Sequence, residues 1–328
     1  MKLSVLDQSV ISEGQTAINA LQNTIELAKI TEELGYTRFW VAEHHNSNGI
    51  VGTSPEILMS QIAANTKKIR IGTGGVLLPQ YSPYKVAENF KMLETLFPNR
   101  IDVGIGRSPG GSTITRLALT DGIRKSMNEF PRQVSDLQDY LFDTNSSSQP
   151  IHNVKAYPSI QTFPEMWLLG VTHRGARLAG EMGTSFTFGH FIHPTNGLHA
   201  METYRRNFQP SKTQSSPKAN VCIFVVCSDT QEKAEEIAVS QDLWLLAVER
   251  GLDTRIPSPK QKKLSPRDKV KIMENRKRMI VGTPQKVREE IQRLSDYYQT
   301  DEFMIINNTF NFEDKVRTYH LLAEVLLK

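Results

Sequence analysis

Residues 100–111 read R-I-D-V-G-I-G-R-S-P-G-G, and this run decides the fold. Ile101, Val103 and Ile105 alternate as a short apolar strand, which breaks into a loop holding three glycines, a proline and Arg107. A buried strand ending in bare backbone N–H groups and a guanidinium is a common way to present an anion site.

The same unit, an apolar strand running into a special loop and then a helix, recurs on both sides of it. Strands are expected at residues 3–6, 38–42, 69–75, 101–105, 166–169, 185–188, 220–227 and 302–306. Between them the sequence predicts helices at 17–34, 55–65, 83–96, 124–142, 175–183, 196–207, 231–250, 284–298 and 312–327. In the first, Leu21, Ile25, Ala28 and Leu34 follow helical spacing and Gly35 stops it. Ser54-Pro55 opens the second as N-cap and first helical residue. Eight strands alternating with helices, most of them continuous apolar runs, describe an α/β fold: a (β/α)8 TIM barrel over residues 1–328 as a single domain. Insertions are expected after strand 4, before strand 5 (the Pro/Ser-rich residues 144–163) and before strand 8 (residues 251–281). An open doubly wound sheet competes, but no strand is followed by G-x-G-x-x-G, because Pro109 stands where the third glycine belongs.

The bulk numbers agree with a globular protein: 328 residues, 39% hydrophobic and 23% charged. No apolar run approaches the ~20 residues that span a bilayer, and Asp7 interrupts the N-terminus too early for a signal peptide. A cytoplasmic location without membrane partners is the expectation. The net charge of +4 is uneven: residues 254–279 carry ten Lys/Arg against Asp268 and Glu274, leaving −4 for the remainder. With no aromatic residue in that run for base stacking, it reads as a solvated, partly helical insertion and not a nucleic-acid site. Cys222 and Cys227 are five apart on one strand, face opposite sides and read as buried, inert thiols.

Barrel chemistry gathers at the C-terminal strand ends, and the unusual residues of this chain fall there. They are Asp7, Glu43-His44-His45, Gly74-Gly75, Arg107, the turn Gly170-Val171-Thr172-His173, and Gly189-His190. The turn leads directly into a helix, so its N–H groups and the Thr172 hydroxyl suit a phosphate, with Arg107 on the neighbouring strand end completing the grip. The plainer alternative makes Thr172 only a helix cap and Arg107 a surface ion pair. Gly74-Gly75 allows backbone to approach a flat ligand, or forms an ordinary strand-to-helix turn. His44 suits an acid/base or hydrogen-bonding role, and His45 a structural one. Adjacent histidines on a strand point opposite ways, so no metal site is expected.

The segments A-E-H-H (42–45), I-R-I-G-T-G-G-V-L-L-P (69–79), V-A-E-N-F-K-M-L-E-T-L-F-P-N-R-I-D-V-G-I-G-R (86–107) and V-G-T-P-Q-K-V-R-E-E-I (281–291) together resemble the bacterial luciferase-like flavin-dependent monooxygenases. The resemblance implies a (β/α)8 barrel that binds reduced FMN (FMNH2) and uses O2 on a small, largely apolar substrate. It further implies a separate NAD(P)H:flavin reductase and a homodimer. By position, the flavin ring would lie near Gly74 and Gly75, where relatives often carry a non-proline cis peptide. The phosphate would meet Arg107, Gly170, Val171, Thr172 and His173, and His44 would stand near the reactive face. Residues 251–281 correspond to a mobile loop over the active site in relatives. Luciferase has a reactive cysteine where this chain has Gly106, so light emission is not implied, and the turn reads V-T-H-R-G where S-S-G is common. Two other readings keep the fold: hydride transfer with the deazaflavin F420, and non-catalytic flavin binding.

Overall fold

The computed structural model describes residues 1–108, 111–144, 154–260 and 264–327. In chain order its strands are β1 (Lys2–Asp7), β2 (Arg38–Val41), β3 (Arg70–Thr73), β4 (Ile101–Gly106), β5 (Glu165–Gly170), β6 (Ser185–Gly189), β7 (Ala219–Cys227), β8 (Met279–Gly282) and β9 (Glu302–Ile306). The helices are α1 (Ala17–Glu33), α2 (Pro55–Ala64), α3 (Pro83–Leu96), α4 (Thr113–Leu119), α5 (Phe130–Phe142), α6 (His173–Glu181), α7 (Gly197–Asn207), α8 (Gln231–Glu249), α9 (Pro266–Arg276), α10 (Pro284–Tyr298) and α11 (Phe312–Leu326).

All pairings between these strands are parallel, and β1-β2-β3-β4-β5-β6-β7-β9 closes back on β1 as an eight-stranded barrel. β8 lies outside the ring. It pairs only with the last four residues of β7, Phe224–Cys227, beyond the part of β7 that meets β6. The sequence reading missed this strand: M-I-V-G is four residues long and sits between a cationic run and the Thr283 cap of α10. The insertion before the eighth barrel strand therefore lies before β8 and α10, not directly before β9.

A second correction concerns the expected helix at 124–142. Residues 124–126 are not helical, a short 3₁₀ turn covers Met127–Glu129, and α5 starts at Phe130. α4, capped by Ser112, went unread in the Gly/Ser-rich stretch before it. The excursion at 144–163 lies partly outside the described residues.

Strand alternation divides the core in two. Leu3, Val5, Phe39, Val41, Ile71, Val103, Ile105 and Leu168 face the helices, while Leu6, Trp40, Trp167, Cys222, Phe224 and Met304 fill the lumen. There Trp40 and Trp167 meet edge to face at 5.5 Å. Cys222 faces the lumen and Cys227 the helices, and burial pushes both thiols up.

Below the two tryptophans, the lumen holds a charged plug. The Arg38 guanidinium lies 2.7 Å from Asp102, 2.8 Å from Glu302 and 3.1 Å from Glu165, and stacks 4.6 Å from the Trp167 ring. Arg70 and Lys218 bring the cations to three against three carboxylates. Burial alone would raise the Glu165 carboxyl, but Arg38, Arg70 and Lys218 hold it down to about 2.

The basic insertion is also neutralised locally. Arg276 pairs with Asp242 and Glu235, Arg278 and Lys271 with Glu249, and Arg250 with Asp268. α9 thus rests on the acidic residues of α8, which is where part of the remaining negative charge of the chain resides. Among the described residues, no helix is long and apolar enough to cross a membrane.

Candidate active site

The C-terminal ends of β2 to β5 form a continuous stretch of rim whose inner wall is unusually bare. Gly74, Gly106, Leu169 and Gly170 are each partly exposed there, next to buried strand positions. A Cβ at Gly106 would meet nothing closer than 3.9 Å, so this part of the wall borders open space. Gly74 and Gly75 behave differently. A Cβ on Gly74 would lie 2.4 Å from Leu6 Cδ1, and one on Gly75 2.7 Å from the Gly104 carbonyl oxygen. The glycine pair therefore packs the turn after β3 tightly onto β1 and β4. The peptide between them is cis, a feature the resemblance implied.

His44 stands at the end of β2 on one side of this wall. Its ring is largely buried, and its Nδ1 has no hydrogen-bond partner. Burial first, with His45 beside it, holds its pKa down to about 4, so it is a neutral imidazole at pH 7 and its Nδ1 can accept or donate according to tautomer. Glu43 and His45 point the other way. Glu43 Oε1 accepts from Tyr81 Oη at 2.5 Å and lies 2.7 Å from His45 Nε2, while Oε2 accepts from the Leu77 N–H at 2.9 Å. His45 is thus engaged with Glu43, while His44 Nδ1 is not. Among the described residues, no cluster of three or more His, Cys, Asp or Glu could hold a metal ion.

On the other side of the wall, Arg107 is exposed and makes no hydrogen bond or ion pair with the described residues. It follows Gly106, which registers with Leu169 of β5, so Arg107 and the Gly170–His173 turn emerge side by side. Thr172 is the N-cap of α6 and its hydroxyl accepts from the Gly175 N–H. Thr172 therefore does cap α6. It leaves the His173 and Arg174 N–H groups at the positive end of α6 facing outward without partners among the described residues.

Asp7, expected at the rim, is instead buried behind β1, where it accepts from Thr24 Oγ1 at 2.6 Å and pairs with Lys315 at 2.5 Å. His190 likewise turns from the lumen and bonds Tyr298 Oη through Nδ1 at 2.8 Å. Of the aromatic residues at the end of β6 and just beyond it, Phe191 packs on the lumen residue Phe224, while Phe188 packs on Tyr298. Sequence reasoning gave Tyr81 and Leu77 no role. Only the E-x-H alternation, which puts Glu43 and His45 on one side, hinted that a shared partner was waiting. The insertion before β8 reaches this rim too. Thr254 bonds Ser47 and Asn48 of the loop after β2, and Ile256 bridges to Ser12 of the loop after β1. A cavity of about 650 Å³ opens at the opposite, N-terminal end. There Lys2 and Lys218 are matched by Asp301 and Glu165, and Arg205 donates to the Tyr298 and Gln299 carbonyls.

The closed parallel ring makes this an α/β barrel of the kind whose sites form at the C-terminal rim, where, among the described residues, a histidine nitrogen and Arg107 stand without partners. Residues 1–300 match the family described as luciferase-like monooxygenase, and the chain belongs to that family. It is 50% identical to the uncharacterized protein YceB of Bacillus subtilis (strain 168), covering 99% of each chain. It is 35% identical to the N-acetyl-S-alkylcysteine monooxygenase of the same organism, covering 100% of this chain and 98% of that one. The crystal structure of apo-MsnO8 superposes with a TM-score of 0.88 at 34% identity, covering 99% of this chain and 98% of that chain. Proteins of this family use a reduced flavin, FMN or F420.

Proposed function

We propose that the protein is an FMN-dependent monooxygenase that takes reduced FMN from a separate NAD(P)H:flavin reductase and uses O2 to oxygenate a small, largely apolar substrate. The observation that carries this reading is the order of groups along four consecutive strand ends. The unpaired His44 Nδ1 comes first, the bare wall of Gly74 and Gly106 next, and Arg107 with the amides of His173 and Arg174 last. That sequence of features matches a flat, hydrogen-bonding ring tethered to a phosphate, and the residues present fit FMN. Bound reduced flavin would supply the electrons that activate O2. Gly74, Gly75 and Gly106 would border the ring, and Arg107, Gly170, Val171, Thr172 and His173 the phosphate. His44, neutral at pH 7, would offer its Nδ1 beside the ring. The insertion at 251–281, pinned through Thr254 and Ile256, is proposed as a cover that excludes water from the site. Limited proteolysis within it that FMN leaves unchanged would remove that role. A homodimer is proposed through the adjacent faces of α2 and α3, where Ile57, Met92 and Leu96 are exposed.

The decisive experiment is a binding titration with FMN, riboflavin and F420 on the wild-type protein and Arg107→Ala. Loss of one charge-assisted phosphate bond of about 1.5–3 kcal/mol weakens FMN roughly 10- to 150-fold and riboflavin hardly at all. Equal weakening of both refutes the phosphate assignment, and binding of F420 without FMN refutes the cofactor.

A further inference from the structure

Glu43 is a buried carboxylate at the rim, its side chain 1% exposed, and its surroundings constrain the protons around it. Three groups converge on it: the Leu77 N–H at 2.9 Å, Tyr81 Oη at 2.5 Å and His45 Nε2 at 2.7 Å. Tyr81 Oη also lies 3.2 Å from His45 Nε2. Tyr81 has one hydrogen, and the contact to Glu43 is the shorter and charge-assisted one, so that hydrogen goes to the carboxylate. His45 Nε2 then faces only oxygen lone pairs. It must carry a proton itself, or three lone pairs would be pressed together in a buried site. The arrangement keeps a proton on His45 Nε2.

The same carboxylate joins two loops. Leu77 and Tyr81 belong to the turn that follows Gly74 and Gly75, and His45 belongs to the segment that carries His44. Glu43 and His45, both gathered on the Leu77–Tyr81 turn, fix the chain on either side of His44, and the His44 backbone N–H is further held by the Gly52 carbonyl at 2.8 Å. Glu56, at the start of α2, is the other carboxyl close to this group. Burial first, and the Glu43 charge with it, keep the Glu56 carboxyl above its ordinary range.

We infer that Glu43 is a positioning residue: it holds a proton on His45 Nε2 and clamps the turn after Gly74–Gly75, and so sets the direction of His44. Its effect on oxygen chemistry rests on the function proposed above; its effect on His45 does not. In Glu43→Gln a single oxygen must serve both the Leu77 N–H and the Tyr81–His45 side. If the oxygen stays with Leu77, the new NH2 faces His45 Nε2 and drives His45 to the Nδ1–H tautomer. If the oxygen turns to His45, the NH2 meets the Leu77 N–H and displaces the turn.

Long-range proton–nitrogen spectra of histidine-labelled protein without flavin read this directly, with His45 assigned from a His45→Gln spectrum. The wild-type protein should show His45 as Nε2–H. Glu43→Gln should lose that signature or shift the Leu77 amide, and Tyr81→Phe, which keeps the carboxylate, should retain it. An Nδ1–H tautomer in the wild-type protein overturns the inference without any variant, as does a Glu43→Gln protein with both signals unchanged. In FMNH2-loaded protein, Glu43→Gln should change the rate of reoxidation by O2 by roughly tenfold or more with FMN affinity retained, since a misplacement of about 1 Å of a reacting group can cost ~10²-fold. Failure of FMN to bind at all would overturn the proposed function and leave the tautomer result standing.

Discussion

Arg38→Met tests the charged plug that closes the lower lumen. The substitution removes a guanidinium in contact with three carboxylates but strips none of them bare. Asp102 keeps Trp40 Nε1 at 2.9 Å and Arg70 at 2.8 Å, Glu302 keeps Ser4 Oγ at 2.9 Å, and Glu165 keeps Lys218 at 2.7 Å. What is lost is the balance: two cations remain against three carboxylates, with Asp102 and Glu302 out of water and Glu165 and Lys218 about one-third exposed. Breaking a buried ion pair by removing one partner costs ~3–5 kcal/mol, and the surviving hydrogen bonds put this case near the lower end, about 3 kcal/mol. At ~2.1 cal/mol/K per residue, that corresponds to a fall in Tm of about 4 °C. The pH dependence gives a second handle. In the wild-type protein Glu165 is held down to about 2, so its contribution is present above the unfolded carboxylate range and lost only as pH falls through that value. In the variant the excess carboxylate gains a raised pKa and takes up a proton on mild acidification. The stability gap should therefore be widest at pH 7 and narrow by pH 5. Urea unfolding followed by circular dichroism at both pH values measures it. A gap below about 1 kcal/mol at pH 7, or one that does not narrow on acidification, refutes the claim that the plug is a balanced buried network.

Three further outcomes are expected. His44→Ala should leave FMN affinity nearly intact while lowering product yield per flavin oxidised, and an unchanged yield would remove His44 from the chemistry. Gly104→Ala should destabilise the fold by about 3 kcal/mol or more, because its Cβ would sit 1.9 Å from the Thr73 carbonyl oxygen, whereas Gly106→Ala, with 3.9 Å of clearance, should stay within about 1 kcal/mol of wild type in the same urea assay. Light scattering should give the mass of a dimer for the wild-type chain and of a monomer for the Ile57→Lys/Met92→Lys double variant; a monomeric wild type would discard the α2–α3 interface.

The barrel was legible because buried parallel strands leave continuous apolar runs and because helix caps mark their own starts, as Thr172, Thr230 and Thr283 do. β8 was not, since four apolar residues after a run of cations carry no periodicity to measure. The plug was hidden for a related reason. Arg38, Asp102, Glu165 and Glu302 each read as polar residues at a strand margin, and only ring closure brings them to one point. The rim residues His44, Arg107 and Gly170–His173 were found through strand phase and through the family resemblance. Asp7 misled because a one-residue difference in strand phase sends a side chain to the helices and not the lumen. Glu43 stayed without a role until the turn at Leu77–Tyr81 was in place, since nothing in the local spacing joins residues 34 and 38 positions apart.

The way β8 is attached has a consequence for how this barrel can be altered. The chain leaves β7 at Cys227, passes through α8 and α9, and comes back at Met279 to lie against that same strand. The excursion begins and ends on one edge, and the eight-membered ring closes through β9 without it. The excursion has its own anchoring strand, but α8 is bound into the barrel: Gln241 Oε1 and Ser240 Oγ accept from the Asn308 and Phe310 N–H groups beyond β9, and Ile237 and Trp244 share a core with Phe224 and Met304. Exchanging only the stretch between α8 and β8 among chains of this architecture would retune what the rim admits while α8, the plug and the strand ends stay as they are.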